Sequence, residues 1–319
     1  MRVFWIFALL SLVYAHSPPS RLSDSFGLAQ RDKPPVPDKP FQKGTFFYYA
    51  GFNKTKTDQD RIKLYESTYK DLLDLLKTVR AQSVPNDIFR IWFTRNDGDV
   101  AKEIWKTMED LITPAAASKR ADDKPTTPVA WIIRDDLFFG CEKGGAYSIP
   151  YEWVQEEVSQ GLQDDKMPAN RWMKKEDVII HICDEALNNF SKNKPTCADV
   201  EKRTTMGFSL VDLPSTLFHE LIHWPLIGKK ALAEHGLDQD LIDDEEKYSA
   251  YPAARLAKDS CSDLAVRNPM NHQYYALHLD TKNKCHKTLE APVKGPIVPY
   301  KKLELVKEVV HQPVSMGKA

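Results

Sequence analysis

The stretch Leu217-Phe218-His219-Glu220-Leu221-Ile222-His223-Trp224 holds the residue types and spacing best suited to chemistry in this chain. On an α-helix, residues four apart lie one above the other on a single face, so His219 and His223 can aim both imidazoles at one point. Neutral imidazole nitrogen is a good donor to zinc, and a reactive zinc site takes three protein ligands and leaves one position open to water. Glu220 sits beside the first histidine, where it reaches such a water without being a ligand and can take its proton. The pattern therefore nominates Zn2+ as cofactor, His219 and His223 as metal ligands and Glu220 as general base. A chance match on a surface helix would have polar neighbours. Leu217, Phe218, Leu221 and Ile222 are all apolar, as a helix buried on its other sides requires.

The residues on either side delimit that helix. Leu213-Pro214-Ser215 makes a start, with proline early and Ser215 or Asp212 available to cap. Pro225 and Gly228 end or kink the helix soon after the second histidine. The third ligand is less plain. A histidine six positions beyond His223 would fall at Lys229, so that pattern is absent. Downstream stands an acidic cluster, Ile242-Asp243-Asp244-Glu245-Glu246-Lys247-Tyr248, which is equally readable as a solvated surface. His235 is a further candidate.

Other elements must position these groups. Ile62, Tyr65, Tyr69, Leu72, Leu73, Leu76 and Val79 recur at helical spacing and predict an amphipathic helix from Asp60 to Ala81. Ile104, Trp105, Met108, Leu111 and Ile112 predict a second from about Asp99 to Ile112, capped by Asp97 or Asp99. Val129–Ile133 and Val178–Ile182 are β-prone runs that read as strands, and the stretch between them, with Gly144-Gly145, Pro150 and Pro168, is loop-rich and predicts no particular shape. Ala115 to Pro128 is a polar break whose Lys119-Arg120 pair fits an exposed loop better than a processing site. Residues 16–42 are rich in proline and charge and lack an apolar period, so they read as a leader or linker. No internal repeat is visible.

Formal net charge is −1, with signs mixed along the chain and no basic stripe interleaved with aromatics, which argues against a nucleic-acid partner. Met1-Arg2, an apolar run from Val3 to Val13 and small residues ending at Ala15 predict an export signal cleaved after Ala15. That run is too short to span a bilayer, which takes about 20 residues, and no later segment reads as a membrane anchor. Asn53-Lys54-Thr55 and Asn189-Phe190-Ser191 are glycosylation sequons that fit a secreted, extracellular protein. The five cysteines, Cys141, Cys183, Cys197, Cys261 and Cys285, suggest two disulfides and one free thiol. Nearness in sequence favours Cys183 with Cys197 and Cys261 with Cys285.

From about Asp60 to Asp280 the chain resembles fungal secreted zincins of the deuterolysin and lysine-specific metallo-endopeptidase type. The likeness is carried by Phe218–His223, by the acidic cluster with Tyr248 followed by Ala253-Ala254-Arg255-Leu256-Ala257, and by Asn268-Pro269-Met270-Asn271-His272-Gln273-Tyr274-Tyr275-Ala276. The last is similar to the family's closing Asn-Ala-Asp-x-His/Tyr-x-Tyr-Phe-Ala motif. The resemblance implies that Tyr248 helps stabilise the oxyanion. It also implies a third metal ligand three residues before that tyrosine, at Glu245, with Asp244 one position off but matching the family's aspartate. Ser249 stands where a glycine usually follows. Met270 and Gln273 replace the acids that would pair with a substrate lysine, so lysine preference is not implied.

The expectation is an α+β fold, mostly helical: a zincin-like metallopeptidase domain with a small sheet and an HExxH active-site helix. Residues 1–15 form the signal peptide, 16–42 the leader, 43–285 the catalytic domain and 286–319 a peripheral tail. The expected activity is that of a monomeric, secreted zinc metalloendopeptidase acting on peptide or protein substrates. The alternative is a secreted or cell-surface zinc-binding protein without catalysis on the same scaffold. Glu220 favours the enzyme, since zinc capture alone needs no base.

Overall fold

Helix α1 (Lys56–Arg80) buries Tyr65, Thr68, Tyr69, Leu72, Leu75, Leu76 and Val79 on one face. It starts before the apolar period does because Thr55 caps it, its hydroxyl accepting from the Asp58 amide at 3.2 Å. The computed structural model describes residues 41–113, 128–134, 146–150, 173–239, 241, 250–258 and 263–293. Residues 1–15, the Lys119-Arg120 pair, Cys141, Cys261 and the cluster 242–249 lie outside them.

Short helix α2 (Phe89–Trp92) precedes α3 (Gly98–Ile112), which buries Val100, Ala101, Ile104, Trp105, Met108 and Ile112. Asp97 occupies the cap position of α3, but its side chain makes no capping bond to that helix. It turns back instead and accepts from the Thr94 amide at 2.7 Å, closing the preceding single turn.

The sheet is mixed and five-stranded, in the order β1-β2-β3-β5-β4. Its members are β1 (Phe41–Lys43), β2 (Tyr48–Ala50), β3 (Ala130–Ile133), β4 (Ala146–Pro150) and β5 (Val178–Ile182). β2, β3 and β5 run parallel, with Tyr48 opposite Trp131 and Trp131 opposite Ile179. β1 and β4 are antiparallel at the two edges. Every residue of β3 and β5 is buried, as central strands covered on both faces must be, which is why both are almost wholly apolar, His181 in β5 being the exception.

Two expectations about extent are corrected, and the loop-rich stretch gains a strand. Phe41 and Gln42 belong to a sheet strand, so the folded body begins inside the stretch assigned to the leader. β4 lies within the loop-rich stretch, held by pairing with β5 across a long sequence distance. Leu289 is buried at 1% exposure and Glu290 bridges to Thr205, so the chain just past Cys285 belongs to the body and not to a peripheral tail.

The remaining elements are α4 (Asp184–Lys192), α5 (Cys197–Glu201), α6 (Leu213–Ile222), α7 (Gly228–Glu234), α8 (Ala250–Lys258), α9 (Leu264–Arg267) and α10 (Pro269–Cys285). α1, α6 and α10 pack on one another in the centre. α10 is buried around nearly its whole circumference from Pro269 to Leu279.

The fold is thus α+β with a small mixed sheet. Among the described residues no helix is long and apolar enough to cross a membrane. The cysteine pairing differs from the one favoured by nearness in sequence. Cys197 bonds Cys285, because the end of α10 packs beside α5, and Cys183 is disulfide-bonded to neither of them. Closing a loop of 88 residues restricts the unfolded chain and stabilises the fold by about 4–5 kcal/mol on the loop-entropy account.

Candidate metal centre

Helix α6 begins at a reciprocal cap. The Asp212 carboxylate accepts from the Ser215 amide at 3.0 Å, and the Ser215 hydroxyl accepts from the Asp212 amide at 3.1 Å. Pro214 sits in the first turn, where a missing N–H costs nothing. Ser215 also meets α10, since the Gln273 side-chain amide donates to its hydroxyl at 3.3 Å. From Ser215 to Ile222 every residue of α6 is buried. The helix is therefore fixed by packing on several sides.

His219 and Glu220 lie in the last turn of α6 and are only 4% and 5% exposed. His223 is the first residue beyond the helix, still in right-handed backbone conformation, and is half-buried. The helix thus stops one residue earlier than expected. Yet the two imidazoles still converge: the Nε2 atoms are 3.2 Å apart, with the rings tilted by 57°. Two nitrogens so close either share one proton or face one cation. A tetrahedral zinc with Zn–N bonds of about 2.0–2.1 Å holds two imidazole nitrogens about 3.3 Å apart, so this pair fits two corners of such a site. The residue types agree: two imidazoles, with the buried Glu220 next in sequence to the first.

The residues after His223 fix the end of the helix. The Trp224 indole is fully buried and donates to the Glu176 carbonyl at 2.7 Å. Pro225 comes next, and Gly228 opens α7 against the end of α6. A Cβ at position 228 would collide with the Ile222 carbonyl oxygen, so only glycine permits this approach.

Among the described residues no group of three His, Cys, Asp or Glu side chains is placed to hold a metal. His235 ends α7 as an exposed residue and does not join the histidine pair. Asp244, Glu245 and Tyr248 lie outside the described residues. The described chain resumes at Ala250, the start of α8, whose Ala253, Ala254 and Leu256 pack inward. The closing segment forms the start of α10. Asn268 caps it, its side-chain oxygen accepting from the Met270 amide at 3.0 Å. Met270, Gln273, Tyr274 and Tyr275 are all buried there, and burial raises the Tyr274 phenol above its ordinary range.

A cavity of about 250 Å³ lies at the other end of α6, beside Asp212, Asp280 and Lys284; neither histidine lines it. Neither Trp224 nor Gln273 is marked by periodicity. The signal for Trp224 is its place directly after the second histidine.

Fold and site together define an α+β domain with a convergent histidine pair at the end of a buried helix and a carboxylate beside it. No protein-family model, no curated protein and no solved structure matches the chain.

Proposed function

We propose that the chain is a secreted zinc-dependent metalloendopeptidase of the zincin type. The observation that carries this reading is the 3.2 Å separation of the His219 and His223 Nε2 atoms beside a buried Glu220. His219 and His223 are two of the protein ligands. Glu245 or Asp244, from the segment leading into α8, is the third, and Tyr248 lies close enough in sequence to serve the same centre. Zinc bound by these residues would supply Lewis acidity, lowering the pKa of water and polarising a substrate carbonyl.

Glu220 is the proton acceptor in this reading. Its side chain leaves the helix one residue after His219, and its burial keeps bulk water from competing for the proton. A glutamate that accepted a proton here is also placed to return it to the leaving amine.

A peptide substrate suits the surroundings. β4 is an edge of the described sheet and packs against α6, so an extended chain has main-chain groups to pair with beside the helix that carries His219. Secretion is supported by the apolar start of the sequence and by the Cys197–Cys285 disulfide, a bond favoured in oxidising compartments.

The test is Glu220→Gln in the full chain, assayed on casein and on mixed peptides. Glutamine keeps the shape and loses the basicity, so hydrolysis falls by roughly 10²–10⁴-fold while zinc stays bound. Undiminished hydrolysis in the variant contradicts the assignment of the base. A wild type inert on diverse peptides leaves zinc binding without catalysis as the better account.

A further inference from the structure

We propose that Trp224 is a positioning residue for the metal centre, setting where the His223 imidazole stands by tying its own indole to the Glu176 carbonyl. The inference rests on the proposed zinc site and concerns what holds that site in register.

Helical geometry alone does not place His223. It lies past the last residue of α6, and its amide bonds the Glu220 carbonyl three residues back at 3.2 Å. The Trp224 amide likewise bonds the Leu221 carbonyl at 3.1 Å. Such a tightened last turn is the part of a helix most ready to fray. The two ligand nitrogens must nonetheless stay within tenths of an ångström of a fixed separation.

Trp224 supplies a restraint from outside the helix. Its indole is fully buried, and its N–H meets the Glu176 carbonyl at 2.7 Å across 48 residues of sequence. That carbonyl is itself held firmly. The next residue, Asp177, is 1% exposed and its carboxylate accepts from the Val129 amide, the Trp131 indole and the Lys174 amide at 2.9, 3.0 and 2.9 Å. The turn before β5 is thus locked to β3, and Trp224 locks the end of α6 to that turn. On the other side, the amides of Ile227 and Gly228 both bond the Trp224 carbonyl, at 2.8 and 3.1 Å. His223 is held between a buried helix and a residue anchored to the sheet.

Trp224→Phe keeps an aromatic ring in the core and removes the N–H. The full chain, stripped of metal, is titrated with Co2+ and then with Zn2+ in competition. The expected result is a Co2+ and Zn2+ affinity lower by roughly tenfold, of the order seen when supports behind metal ligands are removed, with a changed visible spectrum of the cobalt form. Trp105→Phe is the control. It deletes the same kind of bond, to His272, and should lower thermal stability while leaving metal affinity at the wild-type value. Equal affinity and spectrum in Trp224→Phe and wild type overturn the proposal, as does an equal loss in both variants. A wild type that takes up neither metal removes the zinc reading instead. The positioning claim is then decided in the metal-free protein by the ring resonances of His223, which shift in Trp224→Phe if it holds and stay unchanged if it fails.

Discussion

The indole N–H of Trp105 donates to Nδ1 of His272 at 3.0 Å, and Nε2 of the same ring bonds the Val266 carbonyl at 2.7 Å. His272 is therefore neutral, with its proton on Nε2, in a site lined by Phe93 and Trp105. A second proton would face the indole N–H. Burial accordingly pushes the His272 pKa down to about 4, and that of His278, which accepts from Trp92, also to about 4. Linkage gives the sign. Between about 6.5 and about 4 the unfolded chain binds protons that the folded one refuses, so these two groups remove stability as pH falls through that window. The loss is on the order of 3 kcal/mol for each group at the acid end. Urea unfolding of wild type and His272→Gln at intervals from pH 7 to pH 4 checks this. Their stabilities should converge as pH falls, and a constant difference would exonerate His272.

The cap of α6 gives a second prediction. Asp212→Ala leaves the Ser215 amide without its side-chain acceptor and should cost about 1 kcal/mol. Asp212→Asn should differ in sign. Burial, and after it the charge of Asp280, raises the Asp212 pKa, while its bonds to Ser215 lower it. A carboxylate whose folded pKa is raised weakens the fold above that pKa, so a neutral acceptor costs nothing at pH 7 and should match or exceed wild type. Urea midpoints of both variants decide, and an Asn variant as weak as the Ala variant would show that the charge itself is required.

Much of this scaffold was readable because local pattern and final environment agree. One buried face at helical period marked α1 and α3, short β-prone runs marked β3 and β5, and an early proline with Ser215 or Asp212 available to cap marked the start of α6. α10 shows where the pattern fails. Asn271, His272, Gln273 and His278 are all buried there, so the helix has no polar face to give it a period. Asn271 donates to the carbonyls of Trp92 and Ala253, partners 179 and 18 residues away that no window along the sequence contains. β1, β4 and the Cys197–Cys285 bond were missed for the same reason: each depends on a partner distant in sequence. At the candidate site, residue type and spacing placed His219 and His223 on one helix face, and the folded chain brings their Nε2 atoms within 3.2 Å. Trp224 and Gly228 meet the Glu176 and Ile222 carbonyls, which only the folded chain brings to them.

The third ligand is the next point to test. Glu245 lies three residues before Tyr248, the separation that the zincin resemblance implies, and glutamate is an accepted zinc ligand. Glu245→Ala should lose both zinc and hydrolysis, whereas Asp244→Ala should keep both. The reverse outcome would show that residue type outweighs register and that Asp244 is the ligand.

Zinc content is the most direct test of the whole account. The full chain, dialysed against metal-free buffer and analysed by elemental mass spectrometry, should carry one zinc per molecule. His219→Ala and His223→Ala should each carry almost none, because removing one imidazole leaves too few donors for tight binding. A double variant that holds as much zinc as the wild type would contradict the account at its centre.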